Sequence, residues 1–272
     1  MSRAARSLLL FLLLSLNGLS AYGQRTPERE EDTVTSQSGG LSPSGPTSRQ
    51  DPPLRSFPRQ LLANFKGLAS RHNLKPLLIG SAATATSAFF DDEIRDYMSS
   101  SRRFKELGEV GAFLGSSLTI GVVSGGLLFS SYLTENQKFR SMAFSLSQGF
   151  VVNLGMTASL KTITWRTRPN GEGSRSFPSG HTSSAFTVAT VLWHHYPKAS
   201  IPAYLTAGLI GVSRLEKNKH FLSDVVAGAT LGYIVGRTVI RGTASYLSQP
   251  DVTWLPLYLG QEEWGIAVVL SF

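Results

Sequence analysis

Residues 141–160 read SMAFSLSQGFVVNLGMTASL, and the stretch KTITWRTRP at 161–169 follows them directly. The first stretch carries no charge and lacks the two-residue alternation of a half-buried strand, so it predicts a buried helix. Pro169 cannot continue a helix, so a helix that enters the charged stretch must end before this proline. Lys161 and Arg168 are therefore expected near a helix end, which is where polar groups can meet in a cleft.

Uncharged segments of the same kind recur on both sides of this one. The other five are Pro76–Phe90, Val110–Thr134, Thr182–Pro197, Ala199–Ser213 and Val225–Gly236. A shorter segment, 59–74, has apolar residues at helical spacing and predicts an amphipathic helix that packs on the domain. We therefore predict an all-α fold, a bundle of about six helices within a domain that spans residues 59–248.

The N-terminal region differs from this helical domain. Arg3 and Arg6, a short apolar run and the small-residue pattern that ends at Gly23 predict a cleavable signal peptide over residues 1–23. The apolar run is short for a membrane span, which argues against an uncleaved anchor. Residues 24–58 are rich in Ser, Thr, Pro and Gly and predict a disordered linker.

The C-terminal tail, residues 249–272, shows a different periodicity from the helical domain. Apolar residues alternate with others from Trp264 to Phe272, and this two-residue period is typical of a strand. Together with the stretch around 253–259, it is compatible with a short C-terminal β-hairpin that packs against the bundle.

Composition limits the classes of function. Charged residues make up 16% of the chain, which is low for a soluble protein and indicates much buried or membrane-facing surface. The formal net charge of +8 suits nucleic acid, anionic lipid or a small anionic substrate. No stripe of alternating basic and aromatic residues occurs, which argues against nucleic acid. The chain has no cysteine, and this excludes thiol catalysis, disulfides and cysteine-based zinc sites.

The charges at 161–168 suit one kind of ligand. Lys161 and Arg168, held near one helix end, suit a phosphate dianion. Arginine can bind two of its oxygens at once, and lysine supplies a compact positive charge.

A second cluster, SFPSGH at 176–181, opens the helix predicted over Thr182–Pro197. Ser179 is a candidate N-cap, and Gly180 lets the backbone approach a ligand closely. Free N–H groups at the start of a helix favour an anion. His181 would then lie over that anion, where it can donate a proton to a leaving oxygen.

A third cluster, SRLEKNKHFLSD at 213–224, contains a histidine and an aspartate four residues apart. On a helix this spacing puts His220 and Asp224 on one face, within hydrogen-bond reach. The aspartate can hold one ring nitrogen and leave the other free as a nucleophile. Arg214 lies just upstream and can complete the group of cations.

Each cluster alone has an ordinary structural explanation. A lysine with a later Arg-Pro is common, Pro-Ser-Gly-His suits a helix-start turn, and His with Asp four residues on is more often a surface pair. In this order, however, the clusters resemble the signature of the type 2 phosphatidic acid phosphatase and vanadium haloperoxidase superfamily. That signature is Lys-x6-Arg-Pro, Pro-Ser-Gly-His and Ser-Arg-x5-His-x3-Asp, and the chain matches every fixed position.

The resemblance implies an all-α core and assigns a role to each site residue. The implied phosphate-binding residues are Lys161, Arg168, Ser179, Gly180 and Arg214. His220 is implied as the attacking nucleophile, Asp224 as the partner that orients it, and His181 as the acid. Phosphatases of this kind need no metal and no cofactor, whereas the related haloperoxidases hold vanadate in the same cradle.

We therefore expect a metal-independent phosphoric ester hydrolase that works through a phosphohistidine intermediate. Export and apolar surroundings predict a lipid-linked phosphomonoester or diphosphate as substrate, although a soluble phosphoester stays open. The expected place is the periplasm or the extracytoplasmic face of a membrane, with membrane association. Two other functions stay open: a vanadate-dependent haloperoxidase, and a catalytically inactive envelope protein that binds phosphate or lipid.

The number of membrane crossings is open at this stage. If every uncharged segment crossed a membrane, Lys161 would follow three crossings and face the cytoplasm, on the wrong side for an exported site. Either Pro76–Phe90, which is short for a span, does not cross, or no segment crosses. A mean hydropathy of zero favours the second arrangement, a periplasmic domain that can associate with a membrane.

Overall fold

Helices form nearly all of the described structure as far as residue 247. The computed structural model describes residues 56–100, 105–247, 251–260 and 263–271. The expected signal peptide, 1–23, and all but the last three residues of the expected linker, 24–58, lie outside the described residues.

Nine α-helices occur within the described residues. They are α1 (Phe57–Gly67), α2 (Leu74–Ala88), α3 (Asp91–Ser100), α4 (Lys105–Leu114), α5 (Ser117–Ser131), α6 (Gln137–Thr164), α7 (Gly180–His195), α8 (Ser200–Glu216) and α9 (Leu222–Leu247). Short 3₁₀ turns at Arg71–Asn73 and Pro197–Ala199 precede α2 and α8. The all-α prediction is confirmed, and each uncharged segment coincides with one helix or two.

Two features account for most of the difference between nine helices and the expected six. The segment Val110–Thr134 divides into α4 and α5, because Ser116 ends one helix and caps the next: its hydroxyl accepts the Thr119 N–H at 3.0 Å. Helix α3 is an addition, since its sequence, DDEIRDYMSS, is too charged to stand out as a buried segment. Its three acidic residues in the first turn are a helix-start signal that hydrophobicity alone does not report.

Helices α6, α7 and α9 enclose the main core. Its buried side chains are Met142, Leu146, Val152, Val191, Val235 and Val239. Glycines let α9 lie directly on α7: a Cβ at Gly232 would be 2.2 Å from the Ser183 carbonyl, and one at Gly228 would be 2.6 Å from the Ser179 carbonyl. This close approach brings the N-terminal ends of α7 and α9 side by side, and those ends carry His181 and Asp224.

One bent pair of helices reaches the length and apolar composition that a membrane crossing requires. The pair is Gly108–Leu114 with Ser117–Ser131, which meet at 44°. Within the described part of the chain, no helix meets both requirements by itself.

The tail forms strands where the alternation predicts them. Strands β1 (Asp251–Gly260) and β2 (Glu263–Ser271) pair in a two-stranded sheet. The packing of this sheet against the bundle stays a prediction.

Candidate active site

The three sequence clusters meet at one end of the helical bundle. The first occupies the last turn of α6 and the loop after it, the second the start of α7, and the third the α8–α9 connection. The main chain ties the last two together, because the Ser179 N–H donates to the Asp224 carbonyl at 2.9 Å. The Lys161 ammonium joins the first two by donating to the carbonyls of Arg175 at 2.7 Å and Ser176 at 3.2 Å.

Lys161 lies in the last turn of α6, which ends where Trp165 adopts the left-handed conformation with φ of 44°. Burial lowers the pKa of Lys161 to about 8, and the positive charge of Arg168 acts in the same direction. The ammonium is therefore cationic at neutral pH and close enough to Arg168 for the two charges to interact.

Arg168 is fixed through its own backbone in the loop after α6. Its N–H donates to the Gly173 carbonyl at 3.1 Å, and its carbonyl accepts the Gly171 N–H at 3.0 Å. Gly171 and Gly173 have φ of 75° and 81°, a conformation that favours glycine, so this tight loop depends on both. The loop holds the guanidinium of Arg168 at the same end of the bundle as Lys161.

Arg214 is the most buried cation of the cluster, with 7% of its surface exposed. Its Nε and Nη1 atoms have no hydrogen-bond partner among the described residues. Burial lowers its pKa, and the charge of Arg168 lowers it further. An unpaired buried guanidinium destabilises the protein, so this arrangement suits an anion that would supply the missing acceptors.

His181 stands in the first turn of α7, half-buried. Burial lowers its pKa to about 3, and the charges of Arg214 and His220 add to this effect. The main chain of Ala112 in α4 acts in the opposite direction. Burial and the surrounding positive charges thus keep the His181 ring neutral unless a negative charge lies among them.

His220 precedes α9 and does not lie on it, unlike the helical pair that the spacing predicts. Its Nδ1 is 3.6 Å from Asp224 Oδ2, which is longer than a hydrogen bond. Burial is the main reason that the pKa of His220 is lowered. The ring is therefore neutral at neutral pH, with Nδ1 turned to the carboxylate and Nε2 away from it.

Asp224 is fully buried and strongly hydrogen-bonded. Its Oδ2 accepts the Ser176 hydroxyl and, at 2.9 Å, the Phe221 N–H. Its Oδ1 accepts from the Arg166 guanidinium at 2.8 Å. Burial alone would raise the pKa of this carboxyl, but these partners and His220 together lower it, so Asp224 is ionised.

Ser179 and Gly180 occupy the start of α7, as the sequence predicts, but they differ in what they can offer an anion. The Ser179 side chain is buried, and its hydroxyl pairs with that of Thr182 at 2.9 Å. Because its N–H is used by Asp224, Ser179 shapes the turn and the following N–H groups are left to face a ligand. A Cβ at Gly180 would be 3.3 Å from the Thr157 methyl and 3.9 Å from Lys161 Cε, so glycine keeps this space open.

Sequence reasoning missed two residues of this site, Arg166 and Asp91. Arg166 lies two residues before Arg168, and its guanidinium forms ion pairs with both Asp91 and Asp224 at 2.8 Å. Asp91 opens α3, far away in sequence. A carboxylate directly after the uncharged segment Pro76–Phe90 was the available signal, since the other site residues also follow or precede such segments.

A metal ion at this end of the bundle would need several ligands that converge on one point. Within the ranges that the structure describes, no three His, Asp or Glu side chains converge as the ligands of an ion would.

Comparisons with known proteins point in one direction. The PAP2 superfamily profile matches residues 150–245. A lipid A 1-phosphatase of Porphyromonas gingivalis is 36% identical over 109 residues, which are 39% of this chain and 24% of that protein. Phosphatidylglycerophosphatase B of Bacillus subtilis is 36% identical over 92 residues, 28% of this chain and 45% of that protein.

Among solved structures, the chain is similar to the crystal structure of Aquifex aeolicus LpxE. The TM-score is 0.47 at 28% identity, and the match covers 56% of this chain and 95% of that one. The chain spans between about a quarter and a half of the length of the curated relatives it matches. The profile match contains every residue of the three motifs, and residues 150–245 are therefore similar to the PAP2 superfamily in both overall sequence and motif positions.

Proposed function

We propose that this protein is a metal-independent phosphatase that hydrolyses lipid-linked phosphate esters through a phosphohistidine intermediate. The observation that carries the proposal is the Arg214 guanidinium, buried with Nε and Nη1 unpaired, in electrostatic contact with Arg168. Lys161 and Arg214 also both act on the two site histidines. Three cations held around two histidines suit a phosphoryl group, whose charge must be neutralised for attack.

In the first step, Nε2 of neutral His220 attacks phosphorus. A bond from Nε2 to phosphorus forms while the bond from phosphorus to the leaving oxygen breaks. His181 donates its proton to that oxygen, so that the product leaves as an alcohol. Asp224, 3.6 Å from Nδ1, stabilises the positive charge that develops on the His220 ring.

In the second step, water attacks the phosphohistidine. His181, now neutral, accepts a proton from the water, the nitrogen–phosphorus bond breaks and inorganic phosphate leaves. His181 must therefore be protonated at the start, although burial, with the charges of Arg214 and His220, lowers its pKa to about 3. A phosphate dianion among Lys161, Arg168 and Arg214 raises that pKa again, because its charges oppose those of the cations.

Exposed apolar side chains support a lipid-linked substrate. Ile201, Leu205 and Leu209 of α8 are 72%, 64% and 50% exposed and share one face at a spacing of four residues. Leu78 and Ile79 of α2 are 69% and 61% exposed. An apolar surface of this kind suits contact with a lipid phase, and α8 also carries Arg214.

An apolar groove in the helical bundle offers a place for an acyl chain. It has a volume of about 1120 Å³ and lies among α2, α7, α8 and α9, with Ala83, Phe186, Leu205 and Tyr233 in its lining. Phe186 follows His181 by five residues, a rise of about 8 Å along the axis of α7. A lipid whose phosphate lies at His220 could place its chain there.

The main test measures phosphate release from purified protein. The panel holds phosphatidic acid, an isoprenyl diphosphate, a lipid A phosphate and a soluble aryl phosphate, each with EDTA present. We expect release from at least one lipid with EDTA present, and inhibition by vanadate, which imitates the transition state. Rapid quenching should trap an acid-labile, base-stable phosphoenzyme.

Three results would contradict the proposal. Loss of activity in EDTA that returns with a divalent metal would overturn metal independence. Oxidation of bromide with added vanadate and peroxide, without phosphatase activity, would favour a haloperoxidase. Lipid binding without any turnover would indicate an inactive envelope protein.

The expected location has its own test. Export would place the site on the extracytoplasmic side of the membrane. There the site would reach the phosphates of lipids in the extracytoplasmic leaflet. Protease should cut a C-terminal tag when it is added to cells whose outer membrane is permeabilised and whose inner membrane is intact. Cleavage only after the inner membrane is opened would contradict the proposal.

A further inference from the structure

We propose that Arg166 and Asp91 form a clamp that positions Asp224, and through it His220, for the reaction. The proposal rests on the phosphatase function proposed above, because it concerns the same nucleophile. Neither residue is a fixed position of the three motifs, since Arg166 occupies a variable position of the first and Asp91 lies outside all of them.

Three hydrogen bonds and one aromatic contact hold the guanidinium of Arg166. Its Nη1 donates to the Ser223 hydroxyl at 2.7 Å and to Asp224 Oδ1 at 2.8 Å, and its Nη2 donates to Asp91 Oδ2 at 2.8 Å. Its guanidinium carbon lies 4.3 Å from the centre of the Phe221 ring. A planar guanidinium fork bridges two carboxylates in fixed geometry, which an ammonium cannot do.

Asp91 connects this fork to the start of α9. Its Oδ1 accepts the Ser223 N–H at 2.8 Å, and its Oδ2 accepts the Ser223 hydroxyl at 2.6 Å. Asp91 thus satisfies an N–H of the first turn of α9, the turn that carries Asp224. Helix α3 thereby fixes both the main chain under Asp224 and the arginine beside it.

The clamp decides which oxygen of Asp224 faces the nucleophile. Arg166 occupies Oδ1, so the carboxylate cannot turn over, and Oδ2 stays beside His220 Nδ1 at 3.6 Å. Because Nη1 and Nη2 already have acceptors, Arg166 is a positioning residue and contrasts with the unpaired Arg214.

The charges around His220 define the expected pH effect. Lys161 of α6, His181 of α7, Arg214 of α8 and Asp224 of α9 all face it. Without Arg166, Asp224 loses a cationic partner and binds a proton more readily. His220 also becomes easier to protonate, so the acid limb of the kcat/KM profile moves to higher pH.

The first experiment compares Arg166→Gln and Asp91→Asn with matched controls on α3. We expect kcat to fall by about 10- to 100-fold in both, as for other residues that orient a reacting group. KM should change by less than about threefold, since no phosphate contact is lost. Arg95→Gln and Asp92→Asn are the controls, because these exposed residues form an ion pair of the same kind at 2.7 Å.

A double-mutant cycle separates positioning from general structural damage. If Arg166 acts through Asp224, Arg166→Gln added to Asp224→Asn should cause no further loss of kcat. Losses that multiply, or a raised KM with unchanged kcat, would overturn the clamp. Arg166→Lys, which keeps the charge but not the fork, should lie between wild type and Arg166→Gln.

A measurement without turnover keeps the clamp testable if the proposed function fails. NMR titration of the histidine rings, with His220 assigned by its loss in His220→Ala, should show its pKa higher in Arg166→Gln than in wild type. An unchanged His220 titration would contradict the clamp, whether or not the protein is a phosphatase. Absence of phosphate release by wild-type protein would contradict the function alone.

Discussion

Two arginines at the same end of the bundle, Arg166 and Arg214, differ in whether the protein supplies acceptors for their N–H groups. Arg166 bridges Asp91 and Asp224, and both its Nη atoms have acceptors. Arg214, more deeply buried, has Nε and Nη1 unpaired. A saturated cation holds the protein's own groups in place, whereas an unsaturated one is left for an anion that the protein does not provide. The motif resemblance assigns Arg214 and not Arg166 to phosphate binding, but it does not reveal which of the two has acceptors from the protein.

The largest expected effect belongs to the proposed nucleophile, His220. His220→Ala should lower kcat by about 10⁴-fold or more, because no other group is aligned to attack phosphorus. Helical circular dichroism and phosphate binding should be kept. His72→Ala, at an exposed histidine, is the control and should match wild type. Normal turnover in His220→Ala would contradict the mechanism.

Replacing each arginine by methionine should separate the two regions by the sign of the stability change. Arg166→Met leaves two carboxylates without their cation and should lower the free energy of unfolding by about 2 to 4 kcal/mol. Arg214→Met removes an unpaired buried charge and should leave stability unchanged or raise it by about 1 kcal/mol. Chemical denaturation would measure both.

The same pair of variants should also lose activity in different ways. Arg214→Met should raise KM and lower kcat, since a phosphate contact is lost, while Arg166→Met should lower mainly kcat. Equal destabilisation by the two substitutions would remove the distinction between saturated and unsaturated cations.

The charge of Lys161, one of the proposed phosphate-binding cations, should also be visible in the pH dependence of kcat/KM. Lys161 has its pKa lowered to about 8, and the proposed function has it bind phosphate as a cation, so its contribution should be present below that pH. As pH rises above 8, kcat/KM should fall about tenfold per unit. Lys161→Arg should move this limb to higher pH, and Lys198→Arg, far along the chain in a 3₁₀ turn, should leave it in place. A profile that stays flat to pH 10 would contradict a role for the Lys161 charge.

The smallest expected effect lies outside both charged regions, in the apolar groove. Ala83→Phe would fill part of the groove lining and should lower kcat/KM for a long-chain lipid phosphate by about threefold to tenfold. A soluble aryl phosphate should be unaffected. Ala88→Phe, on the same helix but outside the lining, is the control. Equal effects on both substrates would mean that the groove does not hold the chain.

Much of the site could be predicted because its residues are close in sequence to helix ends. Lys161, His181 and Arg214 each stand at the end of an uncharged segment, and a segment that must be buried leaves its polar neighbours at one end of a bundle. Asp91 could not be found this way, since it contacts Ser223 across 132 positions of sequence. The expected helical pair of His220 and Asp224 was also inexact, because Asp224 caps the turn that His220 precedes.

The sequence by itself determined the helical class and the chemical inventory: uncharged runs of helix length, and cations and histidines at their ends. It could do so because both features depend on local sequence. An uncharged apolar segment is buried as a helix, and the charged residues next to it are left at its ends. Only the tertiary structure decided which cation is paired and which is not, since acceptors come from other helices. Asp91 of α3 reaches Arg166 and makes it a positioning residue in our proposal, whereas among the described residues nothing accepts a hydrogen bond from Nε or Nη1 of Arg214, which leaves it available for an anion.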